Sequence, residues 1–316
     1  MVTLALTMGD AAGIGPELCV KAASATEFAG KIRFVIYGRK DILQAAADRW
    51  SNGVLPEVCE CGDGELTFAG LHPCVADAKC GKAAYDALTA AVKDALSGKV
   101  DAIVTAPMNK YAVNLAGIPF TGHTERIAEL CGTEEFAMMQ SSGDLRAAFV
   151  TTHIALAEVS AAVTAERIKS VAGLLSDAII SEGITAPRIA AAAVNPHAGE
   201  DGCMGKEDEE TVKPALAELR NGGMDIDGPF PPDVLFVKKI REKFDGLLSM
   251  YHDQGHIPFK MLAFDSGVNS TLGLPIIRTS PDHGTAFDIA WQGVADTGSF
   301  YAAVKLAAKR AEHRKK

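Results

Sequence analysis

Short apolar runs that stop at glycine, proline, histidine or aspartate recur along the chain, and stretches with helical spacing separate them. The runs are residues 3–8, 32–37, 102–105, 136–140, 147–152, 188–194 and 247–251. Most are apolar at successive positions rather than alternate ones, which is the pattern of a strand covered on both faces. Between them, residues 41–50, 82–96, 125–130, 165–181, 207–220, 234–243 and 299–310 carry helical periodicity. Strand and helix in alternation predict βαβ units, a mostly parallel sheet and the α/β class. The 316 residues, 48% hydrophobic and 22% charged, suffice for a large core, and no repeat or long linker interrupts them.

Several classes of function lose their support at once. A net charge of −9, from 31 basic and 40 acidic residues, offers no field for a nucleic acid or an anionic membrane. No run of about 18 apolar residues exists, and the chain enters its first apolar run without a basic leader and cleavage site. The expected location is therefore cytoplasmic. Seven cysteines without a CxxC pair read as buried or incidental thiols. The basic stretch 305–316 reads as the solvated end of a helix. The turn Gly9-Asp10-Ala11-Ala12-Gly13-Ile14-Gly15-Pro16-Glu17 has neither G-x-G-x-x-G spacing nor the Lys-Ser/Thr of a P-loop, so it reads as a tight strand-to-helix turn. The sequence contains no G-x-S-x-G and no H-E-x-x-H.

Three histidines stand where an apolar run stops: His153, His197 and His252. In a parallel sheet the carboxyl ends of strands share one edge, where ligands bind. A histidine there is more often a cap or a core residue, but three together can hold a divalent metal and leave positions open for substrate. A second group, Lys260, Asn269 and Arg278, is cationic and polar, and Arg278 follows Leu274-Pro275-Ile276-Ile277 as if at a strand end, suited to clamping an anion. Thr121-Gly122-His123-Thr124-Glu125 begins a helix and offers backbone N–H groups to a phosphate or carboxylate. Ser280 to Ala290 forms a polar turn leading into a short helical segment, where Asp288 could accept hydrogen bonds from a ribose diol.

Taken in order, these segments resemble the PdxA family, the 4-hydroxythreonine-4-phosphate dehydrogenases, essentially from end to end. The resemblance rests on Thr7-Met8-Gly9-Asp10 with Gly13-Ile14-Gly15-Pro16-Glu17, Thr105-Ala106-Pro107-Met108-Asn109-Lys110, and Gly117 through Glu125. It continues through Thr151-Thr152-His153, Asn195-Pro196-His197-Ala198-Gly199-Glu200, Gly228-Pro229 with Asp233, Tyr251 through Gly255, and Gly267 through Ser280.

The resemblance implies two α/β domains of the isocitrate and isopropylmalate dehydrogenase type with an interdomain cleft. Residues 1–122 with 262–316 would carry the nucleotide-binding loop, and 123–261 the metal ligands and dimer interface. It further implies a homodimer whose active site is shared between subunits, with His153, His197 and His252 holding Zn, Co, Mn or Mg. His123, Thr124, Lys260, Asn269 and Arg278 would bind a small phosphorylated substrate. Asp233 and Asp253 are the catalytic candidates, Asp233 for proton transfer. His283, Gly284, Thr285 and Asp288 would bind the adenosine half of NAD, which Asp288 favours over NADP. The implied reaction is oxidation and decarboxylation of 4-phosphohydroxythreonine to 3-amino-2-oxopropyl phosphate, a step of pyridoxal phosphate biosynthesis. Two positions depart from the family pattern: Trp291 replaces a common glycine, and His256 resembles the D-threonate/D-erythronate 4-phosphate dehydrogenase branch, which yields dihydroxyacetone phosphate. Two other readings are a cis-dihydrodiol carboxylate dehydrogenase, disfavoured by the retained Thr-Gly-His-Thr segment, and a non-catalytic metabolite-binding protein.

Overall fold

The computed structural model describes residues 1–62 and 64–315. The first half of the chain runs β1 (Val2–Thr7), α1 (Gly15–Ser24), β2 (Ile32–Gly38), α2 (Lys40–Trp50), β3 (Glu57–Glu60), α3 (Ala78–Leu96), β4 (Ala102–Thr105), α4 (Lys110–Leu115), α5 (His123–Cys131), β5 (Ala137–Ser142) and β6 (Leu145–Phe149). The second half runs α6 (Val159–Ala162), α7 (Ala165–Ile180), β7 (Ile189–Ala192), α8 (Lys213–Asn221), β8 (Ile226–Phe230), α9 (Pro232–Leu235), α10 (Lys238–Arg241), β9 (Gly246–Ser249), α11 (His252–Ala263), β10 (Val268–Leu272), β11 (Arg278–Pro281) and α12 (Gly298–Arg314).

Two compact units form, Met1–Glu134 with Leu274–Lys316, and Glu135–Gly273. In the first, strands lie in the order β3-β2-β1-β4-β11, every pair parallel. In the second, the order is β10-β5-β6-β9-β7-β8, antiparallel from β10 to β6 and parallel from β6 to β8. The chain passes between units twelve residues later than the sequence boundaries at both crossings (134 against 122, 273 against 261). At the first crossing Ile127 of α5 joins the core formed by α3, and at the second β10 pairs with β5.

Apolar spacing explains the packing of each unit. α7 begins behind Thr164, whose side chain accepts from the Arg167 N–H, and buries Ile168, Val171, Ala172, Leu175 and Ile179. α3, capped by Asp77, buries Ala83, Ala84, Ala87, Leu88, Ala91 and Val92. Four strands lie outside the apolar runs. β3 and β8 are edge strands, β10 reads Val-Asn-Ser-Thr-Leu, and β11 is Arg-Thr-Ser-Pro yet buried throughout. Arg278 therefore opens a strand rather than ending one. Residues 252–255, outside the helical stretches expected from the sequence, are the first turn of α11, and 207–220 divides into a π-helical turn, Asp208–Val212, and α8. Among the described residues no helix is long and apolar enough to cross a membrane.

Candidate active site

In the second unit β6, β9 and β7 are parallel neighbours, and each carboxyl end delivers one histidine. His153 follows β6 with φ +38°, His252 opens α11 after β9, and His197 lies in the 3-10 turn Pro196–Gly199 after β7, with φ +53°. Side chains bond these three ends together. Thr151 Oγ1 donates to the Met250 carbonyl at 2.9 Å, joining the β6 end to the β9 end. Gln254 accepts from Met250 N–H at 2.7 Å and donates to the Ala193 carbonyl at 2.7 Å, joining the β9 end to the β7 end. Asp208, fully buried, accepts from the backbone N–H groups of Val194 and Asn195 at 2.8 and 3.0 Å and fixes the segment that carries His197. The short approach of α11 to the sheet requires Gly255, because a Cβ there would stand 2.3 Å from Ser249 Oγ and 2.8 Å from Phe149.

His252 lies against His153 with ring centroids 5.5 Å apart, and it stacks on Phe149 at 5.8 Å and on His256 at 4.6 Å, two rings that are 6.2 Å from each other. Its Nδ1 hydrogen-bonds Asp253 Oδ1 at 2.7 Å. A carboxylate on one ring nitrogen leaves the other nitrogen oriented for a metal, which suits His252 to that task. His197 is exposed, with Glu200 3.6 Å from its Nδ1. The structure thus pairs His153 with His252 and sets His197 on the next strand end. Among the described residues of one chain, no three His, Cys, Asp or Glu side chains are gathered around a common metal position. Asp233 is exposed in the first turn of α9, which packs on the His197 turn. A cavity of about 280 Å³ is lined by Thr151, His153, Tyr251, His252 and Asp253. Lys260 sits two turns along α11 with Nζ 5.6 Å from the Phe264 ring, and Asn269 on β10 has a buried Oδ1 without a hydrogen-bond partner.

The first unit holds the other polar groups. Arg278 is 3% exposed, and its Nη2 donates to Thr105 Oγ1 at 2.8 Å. Burial pushes its guanidinium down to about 10, so it remains a cation at neutral pH. His123 opens α5 with an enclosed Nε2. Burial first, then the charges of Arg278 and Lys110, hold the imidazole well below its ordinary range, so it is neutral. A fixed guanidinium, a neutral imidazole, an ammonium and the N-terminus of α5 with Thr124 make a set of donors fitted to a phosphate. Thr105 and Lys110, Thr151, Gln254 and Asp208 carried no signal of their own in the sequence. Of these, only Asp208 stood outside the quoted motifs.

The loop between β11 and α12 leaves His283, Gly284 and Asp288 exposed, and a Cβ on Gly284 would meet nothing within 4 Å. An exposed carboxylate beside open backbone fits a ribose diol. Trp291 takes φ +62°, a left-handed conformation that glycine adopts freely, consistent with the glycine expected there. Its ring lies 5.4 Å from both Trp50 and Phe68, and Arg49 lies 5.2 Å over it.

The family described as "Pyridoxal phosphate biosynthetic protein PdxA" matches residues 30–307. A protein of Desulforapulum autotrophicum named 4-hydroxythreonine-4-phosphate dehydrogenase is 43% identical, over 98% of this chain and 95% of its own. A protein of Salmonella typhimurium named D-threonate 4-phosphate dehydrogenase is 41% identical over 96% and 98%. The crystal structure of a 4-hydroxythreonine-4-phosphate dehydrogenase from Klebsiella pneumoniae superimposes with a TM-score of 0.85 at 39% identity, covering 98% of this chain and all of that one. The chain belongs to the PdxA family.

Proposed function

We propose that this chain is an NAD-dependent, divalent-metal-dependent dehydrogenase that oxidises and decarboxylates 4-phosphohydroxythreonine to 3-amino-2-oxopropyl phosphate. The observation that carries the reading is the set of three neighbouring parallel strands that each end in a histidine and are bonded to one another there. His153, His197 and His252 would hold the metal, and His283 through Asp288 the adenosine half of NAD. When bound, NAD supplies the hydride acceptor and the metal a Lewis acid that favours ionisation of the alcohol and the later enolate.

The chain's own groups do the rest. Arg278, His123 and Thr124 bind the phosphate, and Lys260 offsets the carboxylate while Asn269 hydrogen-bonds a substrate hydroxyl. Asp253 orients His252, and Asp233 exchanges a proton with the substrate. The C3 hydroxyl loses its proton and C3 its hydride, leaving a 3-keto acid. The C1–C2 bond then breaks, CO2 leaves, and its electron pair stays on C2 as an enolate that is protonated. We propose that the working form is a homodimer in the cytoplasm. The exposed apolar face of α11, with Ile257, Met261 and Phe264 on the helix of His252 and Lys260 or just beyond it, fits a second copy that completes the three-histidine set.

A second reading, D-threonate or D-erythronate 4-phosphate dehydrogenase, is favoured by His256, stacked on His252 at 4.6 Å. Initial rates of NAD reduction with each of the three phosphorylated acids and with a cis-dihydrodiol carboxylate decide between them. A preference of tenfold or more for the amino acid (about 1.4 kcal/mol) supports the first reading. A preference for either sugar acid replaces it with the second.

A further inference from the structure

The glycine-rich turn after β1, which reads in the sequence as a plain strand-to-helix turn, and the helix α1 that it opens are bonded to the loop between β11 and α12 at Thr285, Trp291, Gly293 and Ala295. Ile14 N–H donates to the Thr285 carbonyl at 3.1 Å, and the Trp291 indole donates to the Ala11 carbonyl at 2.8 Å. Glu17, 1% exposed, accepts from Gly293 N–H at 3.2 Å through one oxygen and from Ala295 N–H at 3.0 Å through the other. Lys21 completes the set, 2.6 Å from Glu17 and donating to the Gly293 carbonyl at 3.0 Å. Gln292, beside Gly293, donates to the Asp288 carbonyl at 2.9 Å.

A carboxylate in the first turn of a helix needs none of this to stabilise the helix end. Here both oxygens are used on backbone groups far along the chain, in a buried position where an unpaired charge would be costly. We propose that Glu17 is a positioning residue for the dinucleotide: it holds the 291–295 arm of the loop and, through Gln292, keeps Asp288 in place for the ribose. This rests on the reading of residues 283–288 as the adenosine site.

The test uses E17Q, which keeps the size but presents an NH2 group to one of two backbone N–H donors, and W291F, which removes the indole bond to Ala11 while keeping an aromatic ring against Trp50 and Phe68. NADH binding without substrate is titrated by fluorescence, amide exchange is followed over residues 283–295, and kcat and KM are measured for NAD and for the phosphorylated substrate. E17Q should raise the NADH Kd about tenfold, W291F about threefold, the scale of a lost charge-assisted and a lost neutral hydrogen bond. The NAD KM should follow, with kcat and the substrate KM within about twofold. Exchange at Gly293 and Ala295 should quicken. An unchanged NADH Kd in E17Q overturns the proposal, whatever the melting temperature does. If E17Q does not fold, an unchanged Kd in W291F overturns it. Wild-type protein that binds no NADH sinks the functional reading instead, while exchange at Gly293 still reports whether Glu17 clamps the loop.

Discussion

The side-chain amide of Gln254, in the first turn of α11, donates to the main-chain oxygen of Ala193 at the end of β7 at 2.7 Å, while its own oxygen accepts from Met250 N–H. One side chain thereby fixes the separation of the strand ends that carry His252 and His197. Gln254→Leu keeps the volume and leaves a buried carbonyl and a buried N–H unpaired. Denaturant unfolding should show a loss of about 2 kcal/mol. Calorimetric metal titration should show a fall in affinity of about tenfold or more, as for other groups that orient metal ligands.

His197 is exposed, and its substitution removes little packing. His197→Ala should abolish turnover while the melting temperature of the metal-free protein stays within about 2 °C of wild type. A large fall in that temperature would assign the histidine a structural role.

Arg278 is held by Thr105 in a buried position, with its planar fork already oriented. Lysine can replace the charge but not the fork. Steady-state kinetics of Arg278→Lys should show KM for the phosphorylated substrate raised about 10- to 100-fold, the equivalent of a lost charge-assisted bond. The KM for NAD should not follow.

Asp10 is fully buried with Oδ2 unpartnered, and burial raises its carboxyl to about 6; the charge of Asp77 adds to the rise and the Ala12 N–H opposes it. Because the folded value lies above the unfolded 3.8, the folded state retains the proton longer. Its contribution to stability is therefore full at low pH, is lost as pH rises from about 4 to about 6, and is constant above that. Asp10→Asn, which still accepts from Ala12 N–H, should gain about 2 kcal/mol at pH 8 and flatten that part of the profile in urea unfolding.

The strands that bear the site were legible in the sequence where burial is apolar on both faces, as in Ala-Ile-Val-Thr of β4 and Gly-Leu-Leu-Ser of β9. The histidines were legible for the same reason, since each follows such a run. β11 was not, because its buried residues are polar and are satisfied by distant partners: Arg278 by Thr105, and Thr279 by the Ala303 carbonyl at 2.9 Å. α11 was hidden by Gly255 and Pro258, residues that argue against a helix unless its packing against Phe149 and Ser249 is known. Thr151, Gln254 and Asp208 bond to backbone atoms of other strand ends, which no local pattern reveals.

The most direct test of the account measures NADH and CO2 together on metal-replete protein given 4-phosphohydroxythreonine, then after chelation and after the metal is restored. The account predicts equal amounts of the two products, both stopped by the chelator and both recovered with the metal. Turnover that persists in the chelator, or NADH without CO2, would contradict it.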